Sequence, residues 1–134
     1  MASILENVFE VKDIDPEHGK KFDKVSRLVC SSVGSTPMEV HLDINSDIWP
    51  VEVKDRLEML ISTTLALGTD ETDTTLLDKY DYAMSGRVFR FIEEGDQHSV
   101  YASFGGLLLK VKSAPHNISG FSLDQEIYIL IRKV

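Results

Sequence analysis

Four bases around one aromatic ring form the stretch of this chain best suited to hold a ligand. Gly19-Lys-Lys-Phe-Asp-Lys-Val-Ser-Arg27 places Lys20, Lys21, Lys24 and Arg27 beside Phe22. Ammonium and guanidinium groups hold phosphates, and an aromatic face stacks on a base, each stacked base contributing roughly 1–3 kcal/mol. The combination suits weak, sequence-independent contact with a single nucleic-acid strand. The plainer alternative is a strand whose Phe22 is core and whose lysines are solubilising, and composition alone favours it. A second basic set, Arg87, Arg90, Lys110, Lys112, Arg132 and Lys133, comes from three strand-like segments of the C-terminal half. Side by side, these residues would face an acidic partner or nucleic acid; apart, they decorate a solvated sheet.

Catalytic chemistry finds no support. His18, His41, His98 and His116 are scattered, and no two stand at a metal-ligand spacing. The acidic groups Asp13, Asp15, Glu17 and Asp70, Glu71, Asp73 lack the glycine-anchored pattern of a calcium loop. No serine sits in a nucleophile elbow, and no glycine-rich loop opens a helix that would cradle phosphate. No cofactor and no small-molecule substrate are expected. Cys30 is the one cysteine, which excludes an intramolecular disulfide and a four-cysteine metal site.

The elements that must position these residues are short strands. Met38-Glu-Val-His-Leu-Asp-Ile-Asn45 alternates without fault, predicting Met38, Val40, Leu42 and Ile44 on a buried face and the rest toward water. Ile127, Ile129 and Ile131 alternate with Tyr128, Leu130 and Arg132 in a segment apolar enough to be enclosed, and Val88 to Ile92 reads similarly. Phe9 and Val11 mark a strand near the N-terminus. Phe22 to Cys30 marks another, whose alternation slips once and so predicts a bulge. Leu57 to Leu65 fits both helix and strand periods, and its Ile61-Ser-Thr-Thr64 run tips it to strand. Residues 67–79 hold the polar run Gly68 to Thr75 and predict a mobile, exposed loop.

Tyr101-Ala-Ser-Phe-Gly-Gly-Leu-Leu108 carries a Gly-Gly that a regular strand interior would avoid. A hairpin turning on Gly105-Gly106, or one long strand kinked there, would explain it. Better turn material lies on both sides, at Glu93 to His98 and Ser113 to Asn117, so the kinked strand is preferred.

A length of 134 residues fits one domain, residues 1–134, and the composition is that of a globular protein: 43% hydrophobic and 27% charged. The N-terminal residues carry Glu6 and Glu10 rather than a basic, apolar leader, which predicts an intracellular protein and makes the Asn117 glycosylation sequon coincidental. A formal net charge of -8, shared by both halves, argues against wrapping duplex nucleic acid over the whole surface. Local contact with nucleic acid, or residence in a larger basic assembly, is compatible with it.

Taken in order, Phe9 to Pro16, Gly19 to Arg27, Leu42 to Asn45, Tyr80-Asp-Tyr-Ala-Met84, Gly86-Arg-Val-Phe-Arg90, Tyr101 to Leu108 and Tyr128-Ile-Leu-Ile-Arg132 resemble the small eighth subunit common to eukaryotic RNA polymerases I, II and III. The Ser-Phe-Gly-Gly-Leu-Leu run is the most specific part. The resemblance implies an all-β, antiparallel barrel of about eight strands, similar to the oligonucleotide/oligosaccharide-binding (OB) fold. It also implies a nuclear and nucleolar, non-catalytic subunit docked on the largest polymerase subunit. Weak single-stranded DNA binding is implied for about Pro16 to Val40, which contains Lys20, Lys21, Phe22, Lys24 and Arg27. Tyr101, Phe104, Gly105, Gly106 and Leu107 are the expected subunit interface. Three departures from the family pattern stand out: a short middle loop, Trp49 in place of a tyrosine before Pro50, and Ser85 in place of an aromatic before Gly86.

Overall fold

The computed structural model describes residues 3–15, 24–34, 36–64 and 76–134. The alternating segments become strands, as the period-two burial of their apolar residues requires. These are β1 (Ser3–Ile14), β2 (Val25–Ser32), β3 (Met38–Asn45), β4 (Arg56–Ser62), β5 (Tyr82–Glu94), β6 (Gln97–Phe104), β7 (Leu107–Ser113) and β8 (Glu126–Lys133). Short 3-10 turns at Leu76–Lys79 and Pro115–Asn117 complete the described elements. The strands close into one antiparallel barrel in the order β1-β2-β3-β7-β6-β5-β8-β4, with β4 paired back to β1. Closure removes the unpaired edges that an open sheet would present. This is the expected all-β, eight-stranded, OB-like barrel, and the segment ambiguous between helix and strand is β4. The Gly68 to Thr75 run lies outside the described residues.

The barrel interior is filled by side chains from every strand. Phe9, Leu28, Leu42, Ile44, Leu57, Met59, Ile61, Leu109, Ile127, Ile129 and Ile131 are all essentially inaccessible to solvent. Trp49 joins this core by stacking on Tyr82, with ring centroids 5.2 Å apart and planes 10° from parallel. Lys133 Nζ lies 5.7 Å from the Trp49 ring centre, and the Tyr82 hydroxyl accepts the Asn45 backbone N–H at 2.9 Å. The tryptophan thus serves packing between the β3–β4 loop and the ends of β5 and β8.

Cys30 is fully buried on β2, and burial pushes its thiol up to about 12 because a thiolate there would lose its hydration. Below that pH it stays protonated and unreactive. The folded protein at pH 8 should therefore resist a thiol-specific reagent, with one thiol released on adding denaturant. Stoichiometric labelling without denaturant would contradict the burial.

Four local expectations are corrected. Gly105-Gly106 does not kink one strand; it is the two-residue turn of the β6–β7 hairpin, whose last pair is Phe104 with Leu107. Both glycines have positive φ, 66° and 100°, as the favoured tight hairpin turn demands of both central residues. The predicted turn at Glu93 to His98 also exists, with Gly95 (φ 63°) opening the β5–β6 hairpin, so two hairpins follow one another.

The bulge expected in the second strand lies in its partner: β2 alternates regularly from Ser26 to Cys30, and the register slips between Val11 and Asp13 of β1. Phe22 lies outside the described residues. Val88 to Ile92 is not enclosed. A second register slip falls between Val88 and Arg90, and Phe89 and Phe91 are 48% and 39% exposed. Asp43, assigned to the water-facing side of β3, is 7% exposed, because β2 and β7 bring it an arginine and a backbone amide.

A close-approach glycine does exist, at Gly86 of β5. The strand pairs β8 through residues Tyr82 to Arg87 and β6 from Arg87 to Glu94, so Gly86 sits where it changes partner. A Cβ built there would lie 2.1 Å from the Ser103 carbonyl oxygen and 2.6 Å from Phe104 Cδ1.

Candidate functional site

The β6–β7 hairpin gathers most of the expected interface residues. Tyr101 faces outward on β6, partly exposed, with Lys110 Nζ 5.8 Å from its ring centre and the Phe89 ring 6.2 Å away. Gly105 and Gly106 form the exposed tip, and the Gly106 N–H donates to Ser103 Oγ at 3.1 Å. Leu107 is half-buried and Leu108 is 39% exposed. Phe104 points the other way, 5% exposed in the core cluster, and anchors the base of the hairpin. Phe89 and Leu108 extend the apolar surface around Tyr101. Sequence reading missed them because apolar residues on both faces of a strand give no alternation that marks the outward ones.

The hairpin is also held from the side. Asp43 Oδ2 accepts the Leu108 N–H at 3.0 Å, and the same carboxylate takes Arg27 Nε at 2.6 Å on Oδ1 and Arg27 Nη2 at 3.0 Å on Oδ2. Arg27 and Asp43 are register partners across β2 and β3. The guanidinium expected to bind nucleic acid is thus engaged in a two-pronged ion pair. Lys24 is exposed at the turn entering β2, whereas Lys20, Lys21 and Phe22 lie outside the described residues.

The second basic set does not assemble into one patch. Arg132 is bound by Glu58 through Nε at 3.1 Å and Nη2 at 2.7 Å, with its guanidinium 5.2 Å from the Tyr80 ring centre. The hydrogen bond that Arg132 donates to Glu58 raises the Arg132 pKa further, while burial raises that of the Tyr80 hydroxyl. Lys133 reaches Asp55 at 3.7 Å and the Pro50 carbonyl at 2.5 Å. On β5, the neighbour of β8, Arg87 donates to the Asp124 carbonyl at 2.5 Å, and Lys112 of β7 lies 3.8 Å from Glu94. Of this set, Arg90 and Lys110 share one row across β5, β6 and β7, with Tyr101 between them.

Some of the histidine and acidic candidates have local partners, while His18, Glu17, Asp70, Glu71 and Asp73 lie outside the described residues. His41 lies 2.8 Å from Glu39. Asp15 accepts the Arg27 N–H at 2.9 Å, and Asp13 accepts the Ile14 N–H at 2.8 Å. Among the described residues no three His, Cys, Asp or Glu side chains are grouped so as to hold a metal.

A barrel whose braced, glycine-tipped hairpin adjoins exposed aromatic and leucine side chains is built for contact. Comparison with known proteins gives it a lineage: the family model described as RNA polymerase Rpb8 matches residues 6–133. The chain belongs to the RNA polymerase Rpb8 family. Among the relatives of this Rpb8-family protein, "DNA-directed RNA polymerases I, II, and III subunit rpabc3" of Dictyostelium discoideum is 42% identical, covering 99% of both chains. "DNA-directed RNA polymerases II, IV and V subunit 8B" of Arabidopsis thaliana is 38% identical, covering 98% of this chain and 96% of its own. The corresponding RPABC3 subunit of Saccharomyces cerevisiae is 30% identical, covering 98% of each. A solved structure of the cytoplasmic molybdate-binding protein ModG covers 98% of this chain and 92% of its own at 10% identity and a TM-score of 0.34, too low for any functional comparison.

Proposed function

We propose that this Rpb8-family chain is a non-catalytic subunit shared by nuclear RNA polymerases I, II and III, present in nucleus and nucleolus, which docks on the largest subunit through the β6–β7 hairpin. The observation that carries the reading is the family match over residues 6–133, which runs through the hairpin. The hairpin supports it physically: Tyr101 and Leu108, with Phe89 beside them, offer apolar area at a turn held by Ser103 and Asp43. Burying such area against a partner releases water from it and is insensitive to ionic strength. Single-stranded DNA contact, in this reading, falls to Lys20, Lys21, Phe22 and Lys24, with Arg27 committed to Asp43.

Affinity purification of the tagged chain tests the proposal. The largest polymerase subunit should be recovered in near-equal amount and persist through a wash at about 0.5 M salt, where the screening length has fallen to only a few ångströms. Absence of the largest subunit would overturn it. Loss of all companions with rising salt, alongside retention on single-stranded DNA at low salt, would point to an independent nucleic-acid module instead.

A further inference from the structure

We propose that Asp43, clamped by Arg27, is a positioning residue for docking: it sets the β6–β7 hairpin in the conformation that the polymerase partner receives. The inference rests on the hairpin being the docking element. The pairing of β3 with β7 runs from Met38 with Ser113 to Leu42 with Leu109 and ends there. One step further along, Asp43 stands level with Leu108, and a side-chain carboxylate takes over from the backbone as acceptor for the Leu108 N–H. Leu108 is two residues beyond the Gly-Gly turn, so this bond continues the tie of β7 to β3 one step past the last backbone pair, toward the tip. On the hairpin's other strand, Ser103 pairs with Leu108 and its Oγ holds the Gly106 N–H. The tip is therefore braced on two sides.

Arg27 makes the brace directional. An aspartate side chain alone would sample several rotamers, but the two guanidinium bonds at 2.6 and 3.0 Å fix the carboxylate plane. Each carboxylate oxygen then has its donors, Oδ1 one and Oδ2 two. Asparagine cannot reproduce that pattern, since its NH2 must oppose either Arg27 or the Leu108 amide.

A purely stabilising ion pair is the competing explanation, and hydrogen exchange with capture by polymerase separates the two. Asp43→Ala should speed exchange of the Leu108 amide in the free protein at least tenfold and cut recovery of the largest subunit at least tenfold. Glu58→Ala is the control: it breaks the other two-pronged carboxylate–guanidinium pair, between β4 and β8, so it should lower melting temperature while capture is kept. Loss of capture in proportion to melting temperature in both variants would overturn the positioning role, as would unchanged Leu108 exchange. If Asp43→Ala does not fold, Asp43→Asn should still speed Leu108 exchange about threefold and weaken capture, and wild-type values for both would equally reject the proposal. Leu108→Asp isolates the underlying docking reading: unchanged capture by that variant would refute the hairpin as the docking element, whatever the Leu108 exchange rates of the Asp43 variants show.

Discussion

Gly86→Ala is expected to destabilise the barrel by about 3 kcal/mol or more, the upper part of the range for overpacking a closed core. A single methyl does this because the atom it meets cannot retreat. Its Cβ would lie 2.1 Å from the Ser103 carbonyl oxygen, which is backbone, and 2.8 Å from the carbonyl carbon behind it. Ser103 is held in β6 between Arg87 of β5 and Leu108 of β7. Relief would require parting β5 from β6, and the third atom in the way, Phe104 Cδ1 at 2.6 Å, belongs to a core ring. Gly86 has no positive φ, so its need is space alone. Thermal unfolding should show a fall of roughly 10 °C or more for a chain of this length. A melting temperature within about 2 °C of wild type would mean that the strands part more easily than a closed barrel allows.

The hairpin glycines fail for the opposite reason. Around Gly105 and Gly106 nothing lies within 4 Å of an added Cβ, so space is free, but φ values of 66° and 100° are costly for any side chain and worst for a β-branched one. Gly106→Val should cost about 1–3 kcal/mol of stability. Its larger effect should be on docking, since a re-formed turn moves the Ser103 and Asp43 bonds and displaces Leu107 and Leu108; at least a tenfold loss of polymerase capture is expected. Gly105→Asn is the control. Asparagine tolerates the left-handed region, so this variant should fold and be captured nearly as wild type. Equal, normal capture of Gly106→Val and Gly105→Asn would show that turn geometry is irrelevant to assembly. Damage of equal size from both would point to the added side chain rather than the backbone angle.

These two glycine sites also show where sequence reading succeeds and where it stops. The Gly-Gly after Phe104 announces an unusual backbone, yet glycine answers both a demand for positive φ and a demand for close approach. Composition cannot tell these apart: Gly105-Gly106 answers the demand for positive φ and Gly86 the demand for close approach. Phe89 and Phe91 illustrate the same limit. Apolar residues on both faces read as enclosure, yet Phe89 and Phe91 lie 48% and 39% exposed on the barrel.

Arg27 and Asp43 mark the boundary most clearly. Each reads as a surface charge on its own strand, Arg27 in a basic cluster and Asp43 on the polar side of β3. Their pairing depends on the register of β2 against β3, and the third contact comes from Leu108, 65 residues beyond Asp43 in the chain. Sequence alone carries most of the strand positions, though not the break at Gly105-Gly106, together with the alternation that fills the barrel, the lack of nucleophile-elbow and phosphate-loop motifs and the family resemblance, because period-two burial and turn chemistry are local properties of the chain. Tertiary structure alone decided which glycine carries the crowding, which phenylalanines meet solvent and which charges neutralise one another. Those outcomes follow from strand register and closure, which bring together residues whose separation along the chain carries no local signal.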